Sequence, residues 1–396
     1  MTIHELVASL EPEINAVRQQ IHENPELGLK EYNTSALIEK ELREKTHVDR
    51  IEHIGETGLL VEIKGTKPGS AHCIALRGDM DALPIKEDES HELRSRTDGI
   101  MHACGHDVHT SILLGAVRVL EHYRNQIAGS ILFFFQPSEE TLQGGKLFAE
   151  SPKIDFHAID GVAALHVTPD LCAGKIGVRY GAILGSSDEL TITVKGKGGH
   201  GAHPDTVIDP ILLAAQIVQA LQMLVSRELA ADESGVVSLC SIQGGNAFNI
   251  IPDSVVLKGT IRALDPKVRE HILKRIPEIC KGIAAAGRGD AEVNIKLGPP
   301  PLVSDSQWVD RAKRCGSKLL GHENVIELAH PSMGAEDFAF VMEKAPGVFV
   351  RFGSRSEGGP YGGLHSPHFY CDRKALTTGI LTLAGIALDF FDVDFE

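Results

Sequence analysis

The sequence predicts an α/β protein in which a domain with a mixed, mostly parallel sheet is interrupted by a smaller ferredoxin-like α+β domain. The chain has 396 residues, more than one simple hydrophobic core usually accommodates, so two domains are expected. Short apolar runs alternate with helical segments at both ends of the chain, as in largely parallel sheets. Between them the order of elements becomes β-α-β-β-α-β, which is typical of a ferredoxin-like unit.

Two helices are predicted at the start of the larger domain. Apolar residues recur at helical spacing from Leu6 to Ile21, which predicts an amphipathic helix. This helix is expected to end before Pro25, because proline disfavours helical conformation in the residue that precedes it. A second helix is predicted over 34–44, with Asn33 or Thr34 as its N-cap.

The apolar runs that follow have strand character. Strands are predicted at 59–63, 72–76, 130–135 and 161–165, with a helix at 111–123. Ligands of such sheets gather beyond the carboxyl ends of the strands. Three runs deliver metal-binding types of side chain there, namely Asp79 and Asp81, Glu139 and Glu140, and His166. The sequence therefore predicts that these residues meet at one edge of the sheet.

The inserted domain is predicted over 185–298, so that the larger domain comprises 1–184 and 299–396. Its strands are expected at 190–194, 236–242, 255–261 and 291–297, and its helices at 210–225 and 266–286. Segments rich in glycine or proline flank it. The larger domain is completed by helices at 306–320, 336–344 and 373–390 and a strand at 348–352.

The composition is that of an ordinary globular protein, with 42% hydrophobic and 23% charged residues. The net charge of −15 argues against a nucleic-acid or anionic-membrane partner, because phosphates would be repelled. The seven cysteines are scattered without a CxxC pair, which indicates thiols in a reducing compartment. The first ten residues do not have the pattern of a secretory signal. The most apolar helix, 211–225, contains three glutamines and is shorter than the roughly 20 residues that a bilayer requires. A cytoplasmic protein without a membrane partner is expected.

One thiol, three imidazoles and a pair of carboxylates stand out as candidate metal-site residues. They are Cys104 and His106 in MHACGHD, Glu139 and Glu140 in QPSEE, His166 in LHV, and His365 in LHSP. A thiolate can bridge two cations, and the cations lower its pKa. One thiolate, three imidazoles and one carboxylate suffice for two divalent ions, which leaves Glu139 as a general base for an attacking water.

Each of these residues has an ordinary alternative role when it is considered alone. Cys104 could be a buried thiol beside a helix-capping histidine, and the two glutamates could form a solvated acidic turn. His166 and His365 could be core or surface histidines. A cysteine nucleophile activated by a nearby histidine is the chemical rival, but it leaves Glu140 and both histidines without a role. The complete set therefore favours a metal site.

Other polar residues are candidates for supporting roles. Asp79 and Asp81 could orient an imidazole through its second nitrogen, although capping or turn roles are also open. His200 lies in a glycine-rich segment and could reach into a cleft to stabilise an oxyanion; a mobile surface loop is the alternative. Arg262 could pair with a substrate carboxylate or form a surface ion pair, and Asn249 lies in the same domain.

With these residues considered, the sequence resembles the M20 metallopeptidase/aminoacylase family. Within it, the similarity is to the amidohydrolases that include hippurate hydrolases, N-acyl-amino-acid deacetylases and auxin-conjugate hydrolases. The resemblance extends over nearly the whole chain. The matching positions are Arg18, His22, Pro25, Glu26, Leu27, Glu31, 77–84, 101–109, 136–140, Gly199, His200, 249–252, 333–338 and 364–367.

The resemblance implies a catalytic domain and an inserted lid that pairs with another subunit, in a homodimer or homotetramer. It implies two divalent metal ions, with Zn²⁺ suited to cysteine and histidine ligands and Mn²⁺, Co²⁺ or Ni²⁺ as alternatives. The implied ligands are Cys104, as the bridge, with His106, Glu140, His166 and His365. Glu139 would be the general base, and His200 and Asn249 could serve the partner's active site.

The expected activity is hydrolysis of the amide bond in an N-acyl amino acid, which yields a carboxylate and a free amino acid. Glu139 would take a proton from water and return it to the leaving amine. His200 and a metal ion would stabilise the oxyanion, while Arg262 and Asn249 would hold the amino-acid carboxylate. A metallo-dipeptidase or carboxypeptidase of the same family is the alternative, followed by a non-catalytic metal-binding scaffold and a cysteine hydrolase.

Overall fold

Helices and strands alternate along the first part of the chain, as the apolar runs predict. The computed structural model describes residues 1–69 and 71–395. Its first elements are α1 (Ile3–Glu23), α2 (Tyr32–Lys45), β1 (Arg50–Ile54), β2 (Gly58–Lys64), β3 (His72–Asp79), α3 (His106–His122), β4 (Gly129–Gln136), α4 (Gly144–Ala149), β5 (Gly161–Cys172), β6 (Ile176–Val178) and β7 (Gly181–Leu184). The four strands predicted in this part are confirmed, and the helix predicted at 111–123 begins five residues earlier, at His106.

The later elements also follow the predicted order. They are β8 (Asp188–Lys195), β9 (Gly199–His200), α5 (Pro210–Met223), β10 (Gly235–Gln243), β11 (Ile250–Ile251), β12 (Ser254–Ala263), α6 (Pro266–Ala286), β13 (Asp290–Lys296), β14 (Leu302–Ser304), α7 (Ser306–Leu320), β15 (Val325–Glu327), α8 (Ala339–Met342), β16 (Gly347–Arg355) and α9 (Lys374–Phe390). The strands β6, β7, β9, β11, β14 and β15 have only two to four residues each. They are too short for an alternation of apolar and polar residues to be recognised in the sequence. Strand β1 was also missed.

The chain divides into two compact units. The first unit comprises Met1–Gly181, Val303–His330 and the chain from Asp337 onward, and the second comprises Ala182–Leu302 and Pro331–Glu336. The first unit therefore contains the chain segments on both sides of the second, as expected for an insertion.

The first unit is built on an eight-stranded mixed sheet with the order β1-β2-β4-β3-β5-β16-β6-β15. Its four central strands, β4, β3, β5 and β16, run parallel to one another. Helices α1, α3, α7 and α9 contribute to one large apolar cluster with these strands. The mixed α/β fold with its central parallel strands is confirmed, and the carboxyl ends of those strands meet at one edge.

The second unit contains a four-stranded antiparallel sheet with the order β10-β12-β8-β13. Chain order and sheet order together are those of a ferredoxin-like unit, which confirms the prediction. Helices α5 and α6 contribute the apolar residues that cover the sheet. Both helices begin with an aspartate N-cap followed by proline, at Asp209 and Asp265, a combination that favours helix starts.

Three local predictions were wrong. Helix α2 has Glu31 as its N-cap instead of Asn33 or Thr34, because the Glu26 carboxylate already accepts the backbone N–H groups of those two residues at 3.1 and 2.8 Å. The helix predicted at 336–344 is a single turn, Ala339–Met342. Strand β5 does not end at His166 but continues to Cys172, because β16 pairs with it beyond that point.

The predicted length of the most apolar helix was also too short. Helix α5 continues through a π-helical turn at Leu224–Glu228. The combined segment Pro210–Glu228 is, among the described residues, the one helix long and apolar enough to cross a membrane. Its buried residues, including Leu213, Ile217 and Leu221, belong to the apolar core of the second unit.

Candidate metal centre

The loop that carries Cys104 and His106 is held in place by a glycine. Gly105 has a φ of +77° and is the N-cap of α3. A Cβ atom there would lie 2.7 Å from Cγ2 of Val167 on β5. Only glycine therefore allows this left-handed turn to approach β5 so closely. As a result, Cys104 faces β5 and His106 opens the first turn of the helix.

Asp81 connects the loop that follows β3 to the other two parts of the site. Its Oδ1 accepts the backbone N–H of Glu139 at 3.0 Å and lies 3.1 Å from His106 Nδ1. Its Oδ2 accepts the backbone N–H of Glu140 at 3.0 Å. The buried carboxylate of Asp81 thus fixes the backbone positions of both glutamates. Because it contacts Nδ1 of His106, Nε2 of that ring points away from Asp81.

Among the described residues, five groups of side chains have all their potential ligand atoms within 4.8 Å of one another, and three of these groups combine side chains from four distant segments. These three groups are Cys104, His106 and His166; Cys104, Glu140 and His365; and His106, Glu139 and Glu140. Cys104 belongs to the first two, as a bridging ligand would. Its Sγ lies 3.4 Å from Nε2 of His166, and Nε2 of His365 lies 3.2 Å from Oε1 of Glu140.

The hydrogen bonds leave free the atoms that a metal ion would need. Within residues 1–69 and 71–395, the buried Nε2 of His106 and Oε1 of Glu140 have no hydrogen-bond partner. An unsatisfied buried polar atom costs about 1–3 kcal/mol, so a cation that contacts either atom removes a penalty. Thiolate, imidazole and carboxylate also form a donor set that suits zinc and similar ions. The residues present therefore fit a metal centre.

His166 is held in the form that binds a metal. Its Nδ1 donates to the carbonyl oxygen of Val167 at 2.8 Å, which leaves the lone pair of Nε2 on the side of Cys104. Burial, and then the nearby positive charge of Arg351, hold the pKa of His166 well below its usual value. The imidazole is therefore neutral, as a ligand must be.

Negative groups surround the place where the cations would lie. The adjacent Cys104 thiol and then the Glu140 carboxylate raise the pKa of His365 to about 10. Burial, followed by the charge of Glu140, raises the pKa of the Cys104 thiol. Positive charge is thus favoured at the centre of the cluster, where divalent ions would supply it.

Glu139 lies at the edge of this cluster. Its side chain is buried, and its Oε2 is 4.0 Å from Nε2 of His106. It is thus adjacent to the candidate ligands without taking part in the groups that contain Cys104.

His109, which the sequence reasoning did not consider, lies against the site but has both ring nitrogens engaged. Nδ1 is 2.6 Å from Oδ1 of Asp79, and Nε2 accepts the backbone N–H of Val167 at 3.0 Å. The buried Arg77 holds the other oxygen of Asp79 at 2.6 Å. His109 is therefore a supporting residue rather than a ligand. His109 lies three residues after His106, on the same face of α3. This spacing was the signal in the sequence that could have placed His109 near the site.

His200, Asn249 and Arg262 lie in the second unit. His200 is in β9, which pairs with β11, and the carbonyl oxygen of Asn249 accepts the Gly201 N–H at 2.8 Å. His200 and Asn249 are therefore neighbours, and both are exposed. Arg262 is half-buried near the far end of β12, where its Nε donates to Thr260 at 3.2 Å.

Arg262 is separated from the other two residues by the length of β12. At about 3.3 Å per residue, the eight-residue rise from Ser254 to Arg262 spans about 26 Å. Within one copy of this unit, Arg262 and Asn249 cannot contact the same substrate carboxylate.

Comparison with known proteins identifies similar sequences and a similar fold. A family model described as "Peptidase family M20/M25/M40" matches residues 75–389. N-acetyl-L-cysteine deacetylase of Bacillus subtilis (strain 168) is 37% identical over 370 residues, covering 93% of this chain and 86% of that protein. IAA-amino acid hydrolase ILR1-like 2 of Arabidopsis thaliana is 38% identical over 378 residues, covering 94% of this chain and 84% of that protein.

A solved structure is similar over nearly the whole length. It is the Bacillus subtilis YXEP protein, described as a dinuclear metal binding peptidase from the M20 family. It has a TM-score of 0.83 and 32% sequence identity, and the match covers 98% of this chain and 100% of that one.

Proposed function

The chain belongs to peptidase family M20/M25/M40, and we propose that it cleaves the amide bond of N-acyl amino acids, such as N-acetyl or N-benzoyl derivatives. It is a hydrolase acting on amide C–N bonds, and the products would be a carboxylate and a free amino acid. The observation that carries this proposal is the pair of ligand groups that share Cys104. The relatives named N-acetyl-L-cysteine deacetylase and IAA-amino acid hydrolase support the substrate class.

The metal centre would hold two divalent ions. One ion would contact His106 and His166, the other would contact Glu140 and His365, and Cys104 would bridge them. Zn²⁺ suits this donor set best, and Mn²⁺, Co²⁺ or Ni²⁺ are the alternatives. Asp81 would keep His106 oriented through Nδ1, since such partners fix the ring of a ligating histidine.

Glu139 would act as the general base. When bound, the two ions lower the pKa of a water and polarise the acyl carbonyl. The Glu139 carboxylate takes the proton of the attacking water and then delivers it to the leaving amine. Its buried position beside the proposed ligand His106 supports this role, because burial limits the access of bulk water.

Residues of the inserted unit would bind the rest of the substrate. We assign oxyanion stabilisation to His200 and carboxylate binding to Asn249 and Arg262. Because Arg262 lies about 26 Å along β12 from the Asn249 loop, the assignment requires that His200 and Asn249 come from one subunit and Arg262 from another. The assignment therefore requires a homodimer or a homotetramer.

The surface of the second unit supports self-association. Edge strand β10 has the sequence GVVSLCSIQ and carries no charged residue, whereas the other edge, β13, is protected by Asp290, Glu292 and Lys296. Uncharged edge strands readily pair with another chain. Ile242 on β10 and Leu212 and Met223 on α5 are also more than half exposed, at 59%, 58% and 54%. We propose that β10 and α5 form the subunit interface.

A cytoplasmic location belongs to the same proposal. All seven cysteines lie in the described residues and are free, and Cys104 has to remain a thiolate to bridge metal ions. A reducing compartment preserves it in that form.

The proposal is tested by metal removal and reloading. Protein stripped with a chelator should lose amide hydrolysis and recover it on addition of Zn²⁺, Mn²⁺, Co²⁺ or Ni²⁺, measured as amino-acid release from N-acetyl and N-benzoyl amino acids. Release of amino acids from unblocked dipeptides or peptides instead would indicate a dipeptidase or carboxypeptidase. Bound metal with no cleavage of any substrate would indicate a scaffold, and activity that survives the chelator would indicate a cysteine hydrolase.

A further inference from the structure

The first unit contains a cavity of about 430 Å³ whose walls come from four parts of the chain. They are one face of α1, residues between 87 and 93, Asp107 in the first turn of α3, and residues 369–373 before α9. Among the described residues that line it, none is a candidate metal ligand. Small-molecule sites typically have volumes of about 300–1,000 Å³. The cavity is therefore large enough to be a second binding site.

Helix α1 contributes polar side chains to this cavity from its buried face. Asn15, Arg18 and His22 recur at helical spacing, line the cavity and are buried. The adjacent residues Ile14 and Ile21 belong to the apolar core. Burial of polar groups is unfavourable unless they have partners, so the contacts of these three side chains indicate what the cavity could hold.

The amide of Asn15 is buried without a partner in the protein. Asn15 is 9% exposed, and within residues 1–69 and 71–395 its side chain makes no hydrogen bond. A buried amide in this condition costs about 1–3 kcal/mol unless a molecule in the cavity contacts it. The wall of the cavity thus offers one unused hydrogen-bond donor and one unused acceptor.

Arg18 and Asp107 bind each other, and each retains one unused polar atom. Nε of Arg18 donates to Oδ2 of Asp107 at 3.0 Å, and Nη2 donates to the carbonyl oxygen of Cys371 at 3.3 Å. His22 contacts the same Oδ2 at 3.0 Å. In the described part of the chain, Nη1 of Arg18 and Oδ1 of Asp107 have no hydrogen-bond partner. A cationic donor and an anionic acceptor therefore belong to the same cavity as the unpartnered amide.

These groups select a ligand that carries both charges. Arg18 and Asp107 neutralise each other, so a ligand with a net charge would leave an uncompensated charge among buried groups, which is unfavourable. A carboxylate can accept from Arg18 and from the Asn15 amide nitrogen. An ammonium group can donate to Asp107 and to the Asn15 amide oxygen. Leu93 and Phe369 also line the cavity and supply apolar surface for the rest of the ligand.

We infer that this cavity binds a free α-amino acid as its zwitterion. The inference goes beyond the proposed function, because no step of the hydrolysis uses the cavity. A free amino acid is nevertheless one of the two products that the proposed function would release. The cavity would thus hold a compound of the product class outside the metal centre.

The test is calorimetry on the full-length protein with L-methionine, L-leucine and L-glutamine as probes. Each titration is done on the Zn²⁺-loaded protein and again after the metal is removed with a chelator. At least one probe should bind in both states, with a Kd of about 1 mM or below. The inference is overturned if no probe binds, or if binding disappears together with the metal.

Derivatives of the probe test the need for both charges in the unaltered, metal-free protein. N-acetyl-L-methionine lacks the ammonium group, and L-methioninamide lacks the carboxylate. Each should bind about 10- to 100-fold more weakly than L-methionine, because one polar group of the cavity would lose its partner. Equal binding of either derivative would overturn the assignment of a zwitterion.

A variant of Asn15 identifies the place of binding. Asn15→Leu should weaken the binding of the amino acid about 10- to 100-fold. It should fold normally in urea unfolding, since no hydrogen bond within the described residues is lost. The matched control is Gln20→Leu, at an exposed position of the same helix that does not line the cavity. Unchanged affinity in Asn15→Leu would overturn the inference.

The outcome of this test is independent of the proposed function. Amino-acid binding to the metal-free protein requires neither a metal ion nor catalysis. If no N-acyl amino acid is cleaved but L-methionine binds and Asn15→Leu weakens it, the proposed function fails and this inference stands. Amide hydrolysis together with unchanged affinity in Asn15→Leu rejects only this inference.

Discussion

Glu139 and Glu140 are adjacent in the chain but have different surroundings. Glu140 lies 3.2 Å from His365 and shares a ligand group with Cys104. Oε2 of Glu139 lies 4.0 Å from Nε2 of His106, and Glu139 is absent from the groups that contain Cys104. The two backbone N–H groups bind different oxygens of Asp81, and both side chains lie in a group with His106. Adjacent carboxylates can therefore perform different tasks.

Replacing Glu139 tests the division of roles directly. Glu139→Gln should lower kcat by about 10²–10⁴-fold, the usual contribution of a general base, while the metal content stays at the unaltered level. Glu140→Gln is the comparison, and it should lose metal as well as activity. Metal analysis and steady-state kinetics on both variants are the measurements. Near-normal kcat in Glu139→Gln would exclude Glu139 as the base.

Asp81 should control metal affinity without touching the metal. In Asp81→Asn the amide nitrogen replaces one of the acceptors for His106 and the Glu139–Glu140 backbone, so the ligands lose their fixed orientation. We expect a fall of about 10- to 100-fold in metal affinity, measured by competition with a chelator. Asp98→Asn, at an exposed position of the same unit, is the control. Unchanged affinity in Asp81→Asn would show that the ligands orient themselves.

At the scale of secondary-structure elements, the turn before α3 decides whether Cys104 and His106 face β5. Gly105→Ala should lower the free energy of unfolding because the αL conformation costs about 1–2 kcal/mol for a residue with a Cβ atom. The contact at 2.7 Å with Val167 adds to this cost. Gly99→Ala is a matched control, since Gly99 has a φ of +75° with nothing within 4 Å of its added Cβ.

Urea unfolding of both variants separates backbone strain from the steric contact. Gly105→Ala should be less stable than Gly99→Ala, and it alone should reduce metal binding. Equal losses of stability, with metal binding intact in both, would show that the approach to β5 is not critical.

Helix α1 is joined to the start of α3 by buried ion pairs. His22 on α1 contacts Oδ2 of Asp107 at 3.0 Å and Oε1 of Glu87 at 3.1 Å. Arg18, one turn earlier, donates to the same oxygen of Asp107 at 3.0 Å. Burial by itself would lower the pKa of His22, but the two carboxylates raise it to about 9. The histidine is therefore positively charged in the folded protein at neutral pH.

This raised pKa predicts how stability depends on pH. Because the folded pKa of about 9 exceeds the unfolded value of about 6.5, the stabilisation is complete below the unfolded pKa and is lost as pH rises through the folded one. Its size is on the order of 3 kcal/mol, since each pKa unit corresponds to about 1.4 kcal/mol. Urea unfolding between pH 7 and pH 10 should show a decline that is smaller in His22→Gln. An identical decline in the variant would contradict this assignment.

At the scale of the whole molecule, the proposed assembly should be sensitive to charge on β10. Ile242→Glu should place carboxylates in the interface and shift the protein toward monomer, as measured by analytical ultracentrifugation. Activity should fall with it, because His200 and Asn249 would no longer reach a partner. Leu297→Glu, at a residue of the second unit that is 63% exposed, is the control. A monomeric native protein with full activity would refute the proposed exchange of residues.

The sequence by itself determined the order of nearly all long elements and the chemistry of the site. Helix α6 and helix α7 have the predicted limits, because apolar periodicity, Asp–Pro or Asp N-caps and glycine are local signals that act along a single element. The residues with metal-binding chemistry were also identifiable, since thiol, imidazole and paired carboxylates near predicted strand ends are uncommon.

Only the tertiary structure decided how those residues are used. His109 is as suitable a ligand as His166 by type, but its nitrogens are occupied by Asp79 and Val167, whereas Nε2 of His166 is directed at Cys104. Arg351 and His166 are another example: they are 185 positions apart in the chain, yet they are partners in the register of β16 and β5. Hydrogen bonds and strand registers join residues far apart in sequence, and no local pattern specifies which partner a side chain will meet.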